Sequence, residues 1–382
     1  MKILSFFNVS NIDDIESDSG YIFNHLLYTS FIKNGFDFRI ILPTGLENKT
    51  LRFDSSHIYH AEMGETKYTA RYYFSFERIR NIILDYKPDV IFVNQCELTA
   101  TFKAMLLECG IEKNTKIITY CHYPALHLDA NDDTIMDYTL NDGGLCQSIL
   151  SNIFSAVNIA DAFVIQSEFA KGILQNFAEK HNIVLKDIAV YPPPYDTDFY
   201  MEEMSEKNSA SILYNHRLYD SYGTKEFISF VKNNPDLQFI VSDPMANRSN
   251  KRKRSNSTPE ENREILKAFN NVTLKPGGNR VEYRNNIDMS RLAVAPYRKA
   301  CVWSMSVIDC YCRFVPVIGP DISALRELIP ANLLFTSEEQ ERELAVRLVN
   351  DDDFWYESVK KSREILKNIS PDIIAKNIIS LI

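Results

Sequence analysis

The sequence contains no apolar run near the roughly 18 residues that a membrane-spanning helix requires. Its opening, MKILSFFNVS, lacks the basic flank and the long apolar core of a signal peptide. We therefore expect a protein without a membrane span that works in a cytoplasm, which is the host cytoplasm if the source is viral.

Several catalytic and ligand-binding motifs are also missing. No GxGxxG follows the first strand-like segment, which disfavours a nicotinamide or flavin enzyme, and no Walker A, HExxH or GxSxG motif occurs. The seven cysteines are odd in number and scattered through apolar segments, so we expect reduced, mostly buried thiols. The net charge of −9 argues against a generally basic surface for nucleic acid or membrane, although it leaves room for a local basic patch.

The sequence does contain a regular alternation of apolar strands and amphipathic helices. Segments such as FDFRIILP, DVIFVNQ and KIITYC each follow a helical pattern, which predicts an α/β protein with doubly wound, mostly parallel sheets. A chain of 382 residues is long for one core, and the proline-rich VYPPPYD interrupts the alternation. We predict a Rossmann-like domain over 1–195, a second over 196–360, and helices over 361–382 that return to the first.

The stretch 290–330, SRLAVAPYRKACVWSMSVIDCYCRFVPVIGPDISALRELIP, is the most regular part of the second half. It predicts a strand over 292–295, a polar turn, a helix over 303–311, a strand over 315–319 and a helix opened by Asp321. Two strands joined by a helix form a parallel βαβ unit, so a ligand is expected beyond the carboxyl ends of these strands.

Short segments in both halves carry a resemblance to a known family. SILYNHRLYDSYGTKEF, LAVAP and VWSMSVIDCYCRFVPVIGPDISALREL resemble the C-terminal half of retaining GT-B glycosyltransferases of the broad family 4 type. ADAFVIQSEFAKGIL, CHYPALH and VYPPPYD are similar to other segments of such enzymes. The resemblance implies two Rossmann-like domains facing each other across a cleft, with an acceptor domain over 1–195 and a nucleotide-sugar donor domain over 196–360. It also implies transfer of a sugar from a nucleotide-sugar co-substrate, with UDP-sugar favoured and no cofactor.

Candidate donor-binding cations lie at strand ends in the second half. A diphosphate is bound well by cations and by helix N-terminal N–H groups. Arg217 follows a strand, and the resemblance implies that it is the arginine of the family's catalytic diphosphate clamp. Lys225 is the candidate for its partner, although the family's lysine falls nearer Tyr222. Arg298 and Lys299 offer a second cationic pair.

The family's paired glutamates, eight residues apart, bind the donor sugar and the nucleotide ribose. The corresponding positions here are Cys301 and Asp309. Asp309 can accept hydrogen bonds from two ribose hydroxyls, whereas a thiol cannot replace a carboxylate. We expect Ser304 and Ser306, with the main chain after Cys301, to contribute sugar or phosphate contacts. Tyr283 is expected near the nucleotide.

The first half supplies fewer candidates. His122 ends a strand and, by resemblance, contacts the transferred sugar and stabilises the departing charge. Ser19 and Gly20 in the first loop can approach a donor phosphate or the acceptor, and helix capping is an equally good interpretation. The DTD sequence at 196–198 resembles a metal-binding DxD, but its place in a proline-led connector indicates turn capping, so we expect no metal.

The acceptor is indicated only by charge and by one short element. Retaining transfer needs no protein nucleophile, because the leaving diphosphate can take the acceptor's proton. NHR resembles an element of transferases that glycosylate modified tRNA bases. A basic loop suits contacts with double-stranded DNA; its residues are Arg248, Lys251, Arg252, Lys253 and Arg254. The resulting hypothesis is a hydroxymethylated DNA base as acceptor. The alternatives are a surface-glycan or lipid-linked saccharide transferase, a nucleotide-sugar epimerase of the same fold, and a binding protein without turnover.

Overall fold

The computed structural model describes residues 1–7, 12, 15–64, 72–129, 131–136, 145–204, 210–243, 257–276 and 279–382. Its strands are β1 (Lys2–Phe6), β2 (Asp37–Pro43), β3 (Ile58–Ala61), β4 (Val90–Val93), β5 (Lys116–Cys121), β6 (Leu126–Leu128), β7 (Thr134–Met136), β8 (Ala162–Ile165), β9 (Ala189–Val190), β10 (Ile212–Tyr214), β11 (Phe239–Asp243), β12 (Val272–Pro276), β13 (Leu292–Val294), β14 (Val317–Pro320) and β15 (Leu334–Phe335). Its helices are α1 (Ser19–Lys33), α2 (Phe76–Tyr86), α3 (Thr99–Cys109), α4 (Leu145–Ile159), α5 (Glu168–Lys180), α6 (Thr224–Asn233), α7 (Thr258–Lys267), α8 (Arg280–Asp288), α9 (Met305–Cys312), α10 (Leu325–Leu328), α11 (Glu338–Asn350), α12 (Asp352–Glu364) and α13 (Pro371–Ile379).

The chain divides into two compact units, each built on its own parallel sheet. Unit 1 comprises Met1–Pro194 and Ser370–Ile382, and unit 2 comprises Tyr195–Ile369. The strand order is β3-β2-β1-β4-β5-β8-β9 in unit 1 and β12-β11-β10-β13-β14-β15 in unit 2. Each order reverses beside the first strand of its unit, which is the pattern of a doubly wound Rossmann-like sheet. The predicted α/β class with two parallel sheets is confirmed.

The sheet of unit 1 is buried because its strands are nearly continuous apolar segments. All four residues of β4 are buried, and β5 is buried from its second residue onward. Parallel strands covered by helices on both faces have this composition. Phe6 of β1 packs against Phe74 and Phe102 with ring centroids 5.3 and 5.2 Å apart, so aromatic rings are part of the mainly aliphatic core beside β1.

Helix α13 is last in the chain but belongs to unit 1. It begins at Pro371, where the missing N–H of proline is tolerated in the first helical turn. The helix packs against α1, and Asp372 accepts hydrogen bonds from Ser30 at 2.7 Å and from Lys33 at 2.6 Å. The C-terminal segment therefore stabilises the first helix of the chain.

In unit 2 the predicted βαβ arrangement is present. β13 and β14 pair in parallel, and α9 lies between them in the chain. β10 pairs in parallel with β13 on its other side. The segments that follow β10, β13 and β14 therefore leave the sheet at the same end, which places three of the predicted donor-side segments together.

The structure differs from the sequence-based expectations in three places. The pattern does not predict β3 or the antiparallel pair β6 and β7, which are short and include polar residues. The stretch 245–260 has no apolar periodicity, which predicts a loop, but helix α7 begins at Thr258 and makes the end of this stretch helical. The stretch 361–369 belongs to unit 2, because the Arg363 guanidinium donates to the carbonyls of Met201 at 2.8 Å and Tyr311 at 3.0 Å.

Within the described ranges, no helix is long and apolar enough to cross a membrane. None of the seven cysteines, all of which lie in the described ranges, forms a disulfide bond; Cys109 is partly exposed and the other six are buried. This matches the reduced, mostly buried thiols expected from the sequence.

Candidate functional site

Two arginines approach one tyrosine ring where neighbouring strands of unit 2 end. The guanidinium carbon of Arg217, after β10, lies 5.9 Å from the ring centroid of Tyr222. That of Arg298, after β13, lies 4.6 Å from the same centroid, and its Nη1 donates to the Tyr222 hydroxyl at 3.2 Å. Cations from segments 81 residues apart (298 minus 217) thus meet at one ring. Planar guanidinium groups suit bidentate binding of phosphate oxygens.

Lys225 does not join this pair. It lies in the first turn of α6 with its side chain 73% exposed, and its Nζ is 2.8 Å from Oδ2 of Asp220. The hydrogen bond to Asp220 raises the pKa of Lys225 and lowers that of Asp220. The geometry therefore favours Arg298, rather than Lys225, as the neighbour of Arg217. Lys299, the residue after Arg298, is exposed.

Gly223 brings the loop after β10 against the loop after β13. Its φ is +69°, in the left-handed region that favours glycine. A Cβ at this position would lie 2.3 Å from Cβ and 2.8 Å from Cα of Tyr297. Tyr297 is itself fixed, because its hydroxyl donates to Glu341 and its ring packs against Phe335 at 5.5 Å. The close approach holds the residue after Tyr297, Arg298, near Tyr222.

Asp309 on α9 accepts the last hydrogen bond in a series of three side chains. The hydroxyl of Tyr283 donates to Asp309 Oδ2 at 3.2 Å, and Nδ2 of Asn215 donates to the Tyr283 hydroxyl at 2.9 Å. Burial, followed by the charge of Asp196, raises the pKa of Asp309 to about 8, while Arg280 and the bond from Tyr283 oppose the shift. The carboxyl of Asp309 is therefore largely protonated at neutral pH and can both donate and accept hydrogen bonds.

The raised pKa of Asp309 predicts a pH-dependent stability. The folded state retains this proton up to a pH of about 8, whereas an unfolded aspartate releases it near pH 4, so the free energy of unfolding falls as pH rises through this window. We expect Asp309→Asn to remove on the order of 2 kcal/mol of the pH-dependent loss in unfolding free energy. This value is discounted because the Asp309 side chain is only half-buried. Denaturant unfolding at pH 4.5, 6 and 8 measures it.

Glu341 adds to the same pH dependence, because burial also raises its pKa to about 8. The slope in the Asp309→Asn variant should therefore be reduced without vanishing, and Glu341→Gln provides the comparison. If the unfolding free energy of Asp309→Asn depends on pH as steeply as that of the native chain, the protonated state of the half-buried Asp309 is contradicted.

Cys301 supplies no charge to this site. Its side chain is 1% exposed, its thiol donates to the carbonyl of Trp303 at 3.6 Å, and burial raises its pKa to about 11. The thiol is thus neutral at the position where the glycosyltransferase family that the sequence resembles has a carboxylate. Ser304 precedes α9 as its N-cap residue but makes no side-chain capping bond to it. Its hydroxyl and the first N–H groups of α9 are suited to an anionic or hydroxyl-bearing ligand.

Two residues of this site are not predicted from the sequence. Asn215 donates to Tyr283 and, at 3.2 Å, to the carbonyl of Ser306, which links β10 to α9. His216 is 4% exposed, and burial lowers its pKa to about 3, so its ring is neutral. The NHR sequence is the signal for both, since polar residues directly after a buried strand lie at the carboxyl end of the sheet.

The candidate residue of unit 1, His122, is held by amides on both sides. It follows β5, and its Nε2 lies 2.5 Å from Oδ1 of Asn94. Nε2 of Gln166, after β8, donates to His122 Nδ1 and to its carbonyl, both at 3.2 Å. These partners assign the proton to Nε2 of the imidazole. Both ring nitrogens are engaged within unit 1, so a sugar can contact them only by displacing an amide.

Ser19 and Gly20 lie at the beginning of α1, where an acidic residue already caps the helix. Asp18 Oδ1 accepts the main-chain N–H groups of Gly20 at 2.9 Å and Tyr21 at 3.0 Å. The carboxylate occupies the place that a phosphate would take at this helix N-terminus. The structure therefore favours the capping interpretation of this segment.

The remaining predicted residues divide into two groups. Asp196 accepts the N–H of Asp198 at 3.0 Å and forms an ion pair with Arg280, which confirms turn capping for the DTD sequence. No group of three or more His, Cys, Asp or Glu that could hold a metal ion occurs in the part of the chain that is described. The basic residues Arg248 and Lys251 to Arg254 lie outside the described residues.

Comparison with solved structures places this architecture among known proteins. Sucrose-phosphate synthase from Thermosynechococcus elongatus matches 100% of this chain and 98% of its own, with a TM-score of 0.71 and 15% identity. HepE from Anabaena, solved with UDP-glucose, matches 100% and 98%, with a TM-score of 0.64 and 12% identity. A glycosyltransferase from Rickettsia africae matches 100% and 97%, with a TM-score of 0.64 and 15% identity.

No protein-family model and no curated protein sequence matches the chain. The structural matches at 10 to 15% identity cover both units and establish the fold. The chain has the GT-B fold, with two Rossmann-like units that each contain a parallel sheet. The fold expected from the sequence resemblance is confirmed.

Proposed function

We propose that this chain is a glycosyltransferase that uses a nucleotide-sugar donor, with UDP-sugar favoured, and that unit 2 binds the donor. The observation that carries the proposal is the pair of arginines, Arg217 and Arg298, held against Tyr222 at the carboxyl ends of β10 and β13. The structurally similar HepE was solved with UDP-glucose, which supports the choice of donor.

The residues of unit 2 suit the separate parts of such a donor. The arginines bind the diphosphate and stabilise the charge that grows on it as the bond from the sugar's anomeric carbon to the phosphate oxygen breaks. Asp309 binds ribose hydroxyls, and Ser304 with the N-terminus of α9 contacts sugar or phosphate. The acceptor hydroxyl forms the new bond to the anomeric carbon, and its proton passes to the leaving diphosphate. We propose that the anomeric configuration is retained.

The test is a donor panel with the full-length chain. UDP-glucose, UDP-N-acetylglucosamine and GDP-mannose are titrated by calorimetry, and each is then incubated with mixed acceptors before mass spectrometry. We expect binding of a UDP-sugar, a glycosylated product and, by NMR, an unchanged anomeric configuration. An isomerised sugar formed from donor alone indicates an epimerase, and binding without turnover indicates a binding protein. Absence of nucleotide-sugar binding would sink the proposal.

The DNA acceptor requires its own experiment, because it depends on the basic residues 248–254. If a hydroxymethylated base in duplex DNA is the acceptor, affinity falls steeply with salt, and neutralising Lys251 to Arg254 reduces that slope. Binding to hydroxymethylated duplex DNA at several salt concentrations measures both effects. An affinity that is independent of salt and of these four residues excludes this acceptor.

A further inference from the structure

Ser323 has an unusual backbone conformation in the loop after β14. Its φ is +45°, in the left-handed region, although it is not a glycine. It is also buried, with 6% of its surface exposed. A residue with a Cβ keeps this conformation only where the surrounding structure imposes it, and such residues are often found at functional sites. The hydrogen bonds of this loop lead to the candidate donor site.

Two hydrogen bonds join the loop to the segment that contains Arg298. The hydroxyl of Ser323 donates to the carbonyl of Arg298 at 3.0 Å, and the main-chain N–H of Ala324 donates to the carbonyl of Cys301 at 3.1 Å. The carbonyl of Arg298 also accepts the N–H of Cys301 at 3.0 Å. The loop after β14 thus holds both ends of the turn 298–301.

Arg298 is consequently fixed at its main chain as well as at its guanidinium. Its Nη1 donates to the Tyr222 hydroxyl at 3.2 Å, and its carbonyl is fixed by Ser323. Glycine adopts a left-handed φ at little cost, but it has no hydroxyl that could reach this carbonyl. The serine therefore combines a strained backbone with a hydrogen bond that glycine cannot make.

We propose that Ser323 is a positioning residue for the sugar transfer, and that its hydroxyl holds the main chain of Arg298 so that the guanidinium stays directed at the donor diphosphate. This inference rests on the proposed function, because it requires Arg298 to bind the diphosphate. A small displacement of a charged group from the reacting atoms lowers the rate strongly, since its stabilisation of the transition state depends on its position.

Three substitutions at Ser323 separate its hydroxyl from its backbone. Ser323→Gly removes both the hydroxyl and the strain, so we expect unit 2 to unfold near the native denaturant concentration while kcat falls about tenfold. Ser323→Ala removes only the hydroxyl, so the same fall in kcat should accompany a lower stability. Ser323→Thr keeps the hydroxyl but places a β-branched residue at positive φ, so kcat should stay within about twofold of the native value while stability falls.

A purely structural role predicts a different order of activities. Activity would then follow stability, and Ser323→Gly would be the most active of the three variants. The double variant provides a second check. Adding Ser323→Gly to Arg298→Ala should lower kcat no further, because the group that the serine positions is already absent.

Lys87→Gly is the control for the introduction of glycine. Lys87 is an exposed residue that ends α2 with φ +50°. The substitution should therefore stabilise unit 1 by removing a similar backbone strain, and it should leave kcat at the native value.

Hydrogen exchange tests the contact of Ser323 with Arg298 without any donor. The amide of Cys301 reports on the turn, because its partner is the Arg298 carbonyl. Peptides over 296–301 should exchange faster in Ser323→Gly and Ser323→Ala than in the native chain and in Lys87→Gly. Equal exchange, or a native kcat in Ser323→Gly, overturns the inference. If exchange is faster as expected but the native chain binds no nucleotide-sugar, the support of Arg298 by Ser323 stands and the proposed transferase is defeated.

Discussion

Replacing Arg298 with alanine is expected to lower sugar transfer by about 100- to 1,000-fold, because a fixed charge aimed at the leaving diphosphate is lost. The effect should fall on kcat as well as on the KM for the donor, since the negative charge on the diphosphate increases in the transition state. Arg298→Lys should recover only part of the activity, because an ammonium cannot reproduce the planar donor geometry or the contact with Tyr222. Steady-state kinetics with the donor found by the panel measure both variants.

Arg347 provides the matched control for this substitution. It is an exposed arginine on α11 that interacts with Asp351 one helical turn later, and such surface pairs contribute little. Arg347→Ala should leave kcat and KM near their native values, whereas Arg217→Ala should resemble Arg298→Ala. If Arg217→Ala and Arg298→Ala both transfer sugar at the native rate, the donor site lies elsewhere.

Gly223→Ala is the second substitution with a large expected effect. The left-handed backbone costs about 1 to 2 kcal/mol for a residue with a Cβ. The added methyl group would overlap the main chain and Cβ of Tyr297, and such overpacking costs a further 1 to 3 kcal/mol or so. We expect unit 2 to lose roughly 2 to 5 kcal/mol of stability. Hydrogen exchange followed by mass spectrometry measures each unit separately, since two units need not unfold together.

Gly110 separates the two causes of this effect. It ends α3 with φ +68°, close to that of Gly223, but a Cβ there would have no heavy atom within 4 Å in the described structure. Gly110→Ala should therefore show the backbone cost alone, about 1 to 2 kcal/mol. Equal losses for the two variants would mean that the contact with Tyr297 is relieved without cost.

The alternation of apolar segments was sufficient to predict the fold because parallel strands buried on both faces must be apolar along their length. DVIFVNQ and KIITYC are of this kind, and both are central strands of unit 1. The strand Ile58–Ala61 lies at the edge of the sheet and includes His60, so its pattern is too short and too polar to be recognised.

The candidate site was only partly predictable, because its geometry depends on contacts between distant segments. Arg217 and Arg298 were identified separately as strand-end cations, but the sequence does not show that they meet at Tyr222. Lys225 is closer to Arg217 in the chain, yet the start of α6 directs it to Asp220. Side-chain direction after a turn is set by the turn's dihedral angles, which residue types determine only loosely.

The contacts of the polar residues in unit 1 are even harder to predict from the sequence. Asn94 follows a buried strand and has an ordinary identity in the sequence, and only the packed structure shows that its side-chain oxygen pairs with His122. His122 was identified from its place at a strand end, but its two amide neighbours come from different strand ends of the sheet.

Arg217 and Arg298, the two cations at the ring of Tyr222, also affect release of the nucleotide after the proposed transfer. Arginines that stabilise a diphosphate as it departs continue to attract it once it is free, so release of the nucleotide becomes a slow step of turnover. UDP is expected to inhibit competitively against the donor and to be retained more tightly at low ionic strength. If the chain is the proposed transferase, the two arginines would make its rate depend on the concentration of released nucleotide, and a reaction that consumes this nucleotide would raise that rate.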